Sequence, residues 1–118
     1  MQYAILANES AEDFADRTDP DRAARYWASW SGYVTALRES GVMSAAAGLQ
    51  PPETSTTLTL RGGTVHVQDG PFADVKESLG GIFLIDVPDL DSAMDWAARC
   101  PAAVRGTVEV RPLIPPME

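Results

Sequence analysis

His66 is the only histidine in the chain, so any imidazole acid–base step falls to it. Asp69 stands three residues on, in the run Asp69-Gly70-Pro71-Phe72, and is the carboxylate best placed to meet His66 across a bend. The two form the candidate catalytic pair. Each also has a plainer reading. His66 falls on a hairpin, where an exposed imidazole needs no function. An aspartate ahead of Gly-Pro hydrogen-bonds the backbone of its own turn, and Pro71 fixes φ at the next corner. Phe72, Lys76 and Glu77 follow in a charged loop, the kind of segment on which binding groups concentrate. Glu109 and Arg111 are two apart on a strand and share one face, as an ion pair, a contact between copies or a ligand contact. Tyr26 and Tyr33 sit on a helix stripe and can offer hydroxyls to a pocket edge, whereas Trp27 and Trp30 read as core. His66, Asp69, Tyr26, Tyr33, Phe72, Lys76, Glu77, Glu109 and Arg111 are therefore the candidate ligand contacts.

Several chemistries are disfavoured. One histidine, one cysteine and no spaced ligand pairs give no basis for a metal site. No Gly-x-Gly-x-x-Gly, Walker loop or serine elbow is present, and no cofactor is expected. Cys100 precedes Pro101 with no activating base in view, and reads as a small buried apolar residue. A single cysteine allows no intrachain disulfide, which fits a cytoplasmic setting. The net charge of −8, with nine basic residues scattered along the chain and no run of them, argues against nucleic acid and anionic membrane as partners. No apolar run approaches the ~20 residues of a membrane span, and the N-terminus lacks signal-peptide form.

The elements that must position these residues are legible in the pattern. A length of 118 residues suits one domain spanning residues 1–118. Residues 3–7 (Tyr-Ala-Ile-Leu-Ala) predict a buried strand. Residues 8–18, rich in Glu and Asp, predict a solvated loop or a short helical turn begun by Ser10. Asp19-Pro20 predicts a helix start, with Tyr26, Trp27, Trp30, Tyr33, Val34 and Leu37 on its buried stripe and Gly41 at its end. Residues 42–49 predict a strand entering a loop. Alternation on either side of Gly62-Gly63 predicts a hairpin over 57–68. Residues 81–87 read as a central strand, with Gly80-Gly81 marking a close backbone approach or a bend into it. Asp89 or Asp91 caps a second helix with Leu90, Ala93, Met94, Ala97 and Ala98 buried, and residues 107–111 alternate as a last strand. The class is α+β: a ferredoxin-like βαββαβ plan with an inserted β-hairpin, an antiparallel sheet and both helices on one face.

The segment Val67-Gln68-Asp69-Gly70-Pro71-Phe72-Ala73-Asp74-Val75-Lys76-Glu77-Ser78-Leu79-Gly80-Gly81 resembles the signature of the YCII-related proteins of the DGPF type. Ile85-Asp86-Val87-Pro88-Asp89-Leu90-Asp91, Trp96-Ala97-Ala98-Arg99-Cys100-Pro101, Val108-Glu109-Val110-Arg111-Pro112 and, upstream, Gly48-Leu49-Gln50-Pro51-Pro52 continue the resemblance over essentially the whole chain. It implies a dimeric α+β barrel, hence a homodimer, in a family with no single settled activity. Some distant relatives resemble small-molecule lyases with a His–Asp pair whose histidine lies on the first helix, where this chain has none. The expectation is a small-molecule-binding dimer with weak lyase or isomerase character. The alternative, from the family's gene context, is a regulatory protein working with an extracytoplasmic-function sigma factor.

Overall fold

The computed structural model describes residues 1–117. β1 (Gln2–Ser10) alternates in burial along its length, with Tyr3, Ile5, Ala7 and Glu9 turned inward. It runs three residues beyond the expected strand. Ser10 then caps a six-residue helix, α1 (Ala11–Asp16), by accepting the Asp13 N–H at 3.2 Å. Of the two readings of the acidic segment, the short helix begun by Ser10 is the one observed, and Phe14, Asp13 and Asp16 within it are buried. α2 (Ala23–Ser40) starts later than Asp19-Pro20 predicts. Asp19 holds a preceding turn instead, its carboxylate accepting from Asp21 N at 2.8 Å and its carbonyl from Ala23 N at 2.9 Å. Gly41 ends α2 in the left-handed conformation, as expected.

β2 (Met43–Gly48), β5 (Glu77–Asp86), β1 and β6 (Thr107–Pro112) form one antiparallel sheet in the order β2-β5-β1-β6. That is the ferredoxin-like arrangement, with β5 central as predicted. β3 (Thr56–Arg61) and β4 (Thr64–Asp69) pair with each other alone, Leu58 opposite Val67 and Leu60 opposite Val65. Gly62 and Gly63 take φ of 54° and 78°, the left-handed pair that a tight two-residue hairpin turn demands. The inserted hairpin is therefore an arm outside the main sheet.

One core lies between that sheet and the helices. Tyr3, Ile5, Ala7, Phe83 and Ile85 from the strands meet Tyr33 and Leu37 of α2 and Ala93 of α3 (Leu90–Ala98). Asp89 caps α3 by accepting from Ser92 N at 2.9 Å. Only Ala93 and Ala97 of its expected buried face are inside; Leu90, Met94 and Ala98 are exposed, because α3 covers the sheet edge with a narrow stripe. The expectation that Trp27 is core is also corrected. It is about half exposed, while Trp30 stacks on Phe83 with centroids 5.9 Å apart. Cys100 is buried, and burial pushes its thiol up to about 11, so the inert reading of that residue agrees with its surroundings.

Candidate functional site

Gly80 is the local cause of the site. Between β1 and β5 the register slips, Ala7 facing Gly81 and Asn8 facing Leu79, so Gly80 is the extra residue of a β-bulge. A side chain at 80 would overlap the Glu9 carboxylate. The bulge and the missing Cβ together leave room for a glutamate on the inward face of β1, where Tyr3, Ile5 and Ala7 set an apolar pattern. Glu9 is 1 % exposed.

Its partners come from the two helical segments. Arg17, just past α1, donates from Nη2 to Glu9 Oε2 at 2.7 Å and from Nε to the Tyr26 hydroxyl at 2.9 Å. Tyr26, on the first turn of α2, donates its own hydroxyl proton to Glu9 Oε1 in a short contact. Arg17 also donates from Nη1 to the Leu49 carbonyl at 2.5 Å and from Nη2 to the Gly80 carbonyl at 3.4 Å. Three rings surround the guanidinium: Phe14, Trp27 and Tyr26, at 4.7, 5.6 and 5.7 Å from centroid to Cζ. Burial works against the Arg17 charge, but the Tyr26 hydroxyl and the Glu9 carboxylate outweigh it and hold the guanidinium above its ordinary value. Burial, and then the bond to Glu9, push the Tyr26 hydroxyl well above the usual phenolic range. Tyr26 is thus a neutral donor in this setting.

Arg17 and Tyr26 form the polar end of a cavity of about 870 Å³ between α2 and the β2–β5 end of the sheet. Its other walls are largely apolar: Phe14, Trp30 and Phe83 on one side, Ala46, Ala47 and Gly81 on the sheet, and Leu49 to Glu53 as a rim that carries the polar groups of Gln50 and Glu53. The volume is in the range of small-molecule sites, and so is the composition, an apolar wall with a few convergent polar groups.

The residues singled out in the sequence are distributed unevenly around this cavity. Tyr26 is at its polar end. Tyr33 is buried two turns further along α2, and its hydroxyl donates to the Trp96 carbonyl at 2.9 Å, tying α2 to α3. His66 lies exposed on the arm opposite Thr59, and Asp69 is exposed opposite Thr56. The odd spacing of the two puts them on opposite faces of β4. Neither lines the cavity. The turn at Asp69-Gly70-Pro71 is tied by Gln68 Nε2 to the Pro71 carbonyl at 2.9 Å and by Thr57 Oγ1 to the Gly70 carbonyl at 2.8 Å, not by the Asp69 carboxylate. Phe72 is exposed and lines a shallow groove with Pro51, Val75 and Glu77. Lys76 is exposed beside it, and Glu77 accepts from Thr107 Oγ1 at 2.7 Å. Glu109 and Arg111 form an ion pair with each other.

Glu9 and Arg17 were not among the sequence candidates, because both sit in a stretch dense with solvated charge. The signal was nevertheless present for Glu9: it continues the odd-numbered series Tyr3, Ile5, Ala7. Among the described residues no group of three or more His, Cys, Asp or Glu is placed to hold a metal ion, and no helix is long and apolar enough to cross a membrane.

Comparison with solved structures finds the same fold in 5-chloro-2-hydroxyhydroquinone dehydrochlorinase from Burkholderia phenoliruptrix AC1100, in complex with 2,5-dihydroxybenzoquinone. The TM-score is 0.55 at 14% identity, over 97% of this chain and 94% of that one. At that identity the likeness concerns the α+β fold alone. An uncharacterized protein of Rhizobium meliloti (strain 1021) is 36% identical over 117 residues, covering 96% of this chain and 92% of the relative. The model of the YCII-related domain matches residues 1–116, and the chain belongs to that family.

Proposed function

We propose that this protein binds a small, oxygen-bearing ring compound in the cavity between α2 and the sheet. The observation that carries the reading is the pair Arg17 and Tyr26, held from behind by the buried Glu9, at one end of a largely apolar and aromatic space. A planar ring fits against Trp30 and Phe83, and a ring oxygen can accept from the Arg17 guanidinium. The bound dihydroxybenzoquinone of the structural neighbour supports the same ligand size. Lyase or isomerase turnover would use the same end. A proton leaving the ligand would pass to the Tyr26 oxygen as the Tyr26 proton moves to Glu9, which needs no phenolate to exist beforehand. His66 and Asp69 stay in the proposal only as groups on the arm, outside this chamber in a single chain.

The protein is proposed to act as a homodimer in the cytoplasm. Support for pairing comes from two uncovered apolar surfaces, the Leu58-Leu60-Val65-Val67 face of the arm and the outer sheet face bearing Ala4, Leu6, Ile82 and Leu84. No observation favours a sigma factor as partner.

The test is titration with hydroquinone while following tryptophan fluorescence, since Trp27 and Trp30 both line the cavity. Saturable quenching is expected, and Ala47→Trp, which fills the space from the sheet side, should abolish it. Equal quenching in that variant would put binding elsewhere and overturn the reading.

A further inference from the structure

An arginine in an apolar pocket ordinarily anchors a carboxylate. The geometry here points to the opposite preference. We infer that the cavity selects neutral ring carbonyl and hydroxyl compounds over ring carboxylates, because Glu9 already occupies the anion position of Arg17. This rests on the small-molecule reading above and names the ligand class for that site.

Three observations carry it. The first is charge: Glu9 Oε2 lies 2.7 Å from Arg17 Nη2, and the two side chains are 1 % and 11 % exposed, so the polar end is a compensated pair shielded from water. A ligand carboxylate reaching Arg17 would place a second negative charge within a few ångströms of Glu9 where screening is weak. The second is donor supply. A guanidinium has five N–H groups. Four are spent on Glu9, Tyr26, the Leu49 carbonyl and the Gly80 carbonyl, leaving one on Nη1. A fork-to-fork carboxylate contact needs two, whereas a carbonyl or hydroxyl oxygen needs one. The third is that the arrangement cannot relax. Glu9 is backed by the Gly80 backbone, and Arg17 is walled by Phe14, Tyr26 and Trp27. Swinging Arg17 toward a ligand carboxylate would strand a buried Glu9. No other cation lines the cavity among the described residues.

The test uses two nearly isosteric rings, 4-hydroxybenzaldehyde and 4-hydroxybenzoate, titrated into the full-length protein at pH 7 by calorimetry. The aldehyde is expected to bind at least tenfold more tightly than the carboxylate. In Glu9→Gln, which keeps the shape but frees the Arg17 charge, the ratio should move toward the carboxylate by at least tenfold. A carboxylate that binds the wild-type protein as tightly as the aldehyde, or better, overturns this inference and leaves the binding reading standing. An unchanged ratio in Glu9→Gln overturns the assignment to Glu9. Failure of both rings to bind the wild-type protein overturns inference and reading together. If Glu9→Gln does not fold, the wild-type ratio decides by itself.

Discussion

Glu9 and Arg17 hold each other inside a region that neither would enter alone. Taking one charge out of water costs several kcal/mol, and the loss is recovered only through a well-placed partner and further hydrogen bonds. Tyr26 and two backbone carbonyls supply those bonds. Removing one member therefore strands the other. Glu9→Ala or Arg17→Met should lower the unfolding free energy by about 3–5 kcal/mol, whereas the double replacement Glu9→Ala with Arg17→Met should cost clearly less than the sum. Urea denaturation of the four proteins measures this, and simple additivity would refute the coupling. Gly80→Ala belongs to the same cycle. Its methyl overlaps the Glu9 carboxylate, so it should destabilise the wild-type protein strongly and a Glu9→Ala background much less.

At the scale of elements, α1 has six residues, too few to be stable without tertiary support. Its support is the Ser10 cap and Arg105, which reaches from the segment before β6 to Asp13 and Asp16, both at 2.6 Å, and to Glu12 at 3.3 Å. The Arg105 hydrogen bond holds the Asp16 carboxyl below its ordinary value. A depressed carboxyl stabilises the fold above its unfolded pKa of about 3.9, and that contribution is lost as pH falls through the lower, folded value. The Asp89 cap of α3, lowered by its bond from the Ser92 backbone, acts in the same direction. Denaturation midpoints should therefore fall with acidification below about pH 4. Arg105→Gln should flatten that dependence while lowering stability at pH 7. A pH profile unchanged by Arg105→Gln would show that the ion pairs are not what anchors α1. Since Arg17 follows α1 directly, loosening this helix should also weaken ligand binding.

The whole molecule is flat, about 50 × 46 × 18 Å, with a radius of gyration of 16.1 Å. A compact chain of this length would have a radius of roughly 13.5 Å. The excess is consistent with the β3–β4 arm, whose apolar face is 56–62% exposed at each of its four large residues. A two-stranded hairpin by itself is marginally stable at best. In the proposed homodimer a second copy would bring an equal arm and an equal outer sheet face to cover these surfaces. Light scattering at micromolar concentration should give twice the chain mass. Leu58→Asp with Val67→Asp should shift it toward the monomer, and a monomeric wild-type protein would refute the pairing.

Much of the architecture follows from local chemistry. Period-two alternation, the Gly62-Gly63 turn, the aromatic stripe of α2 and the Asp89 cap each act over a few residues, so the order of elements and the family resemblance could be read directly. The same pattern hid the site. Glu9 stands in an acidic run whose default is solvation, and its inward face was legible only by extending the β1 alternation past Ala7. Arg17 and Tyr26 are nine residues apart and meet only after α1 and α2 fold back over the sheet. His66 and Asp69 have the residue types of a catalytic pair, but strand geometry sends them to opposite faces of an arm. The order of the strands, their alternation and the main turns were in the sequence, because those depend on neighbours in sequence. Which charges lie buried together was decided by tertiary structure alone, since a bulge at Gly80 and contacts between distant segments set the desolvation that makes Glu9 and Arg17 a pair.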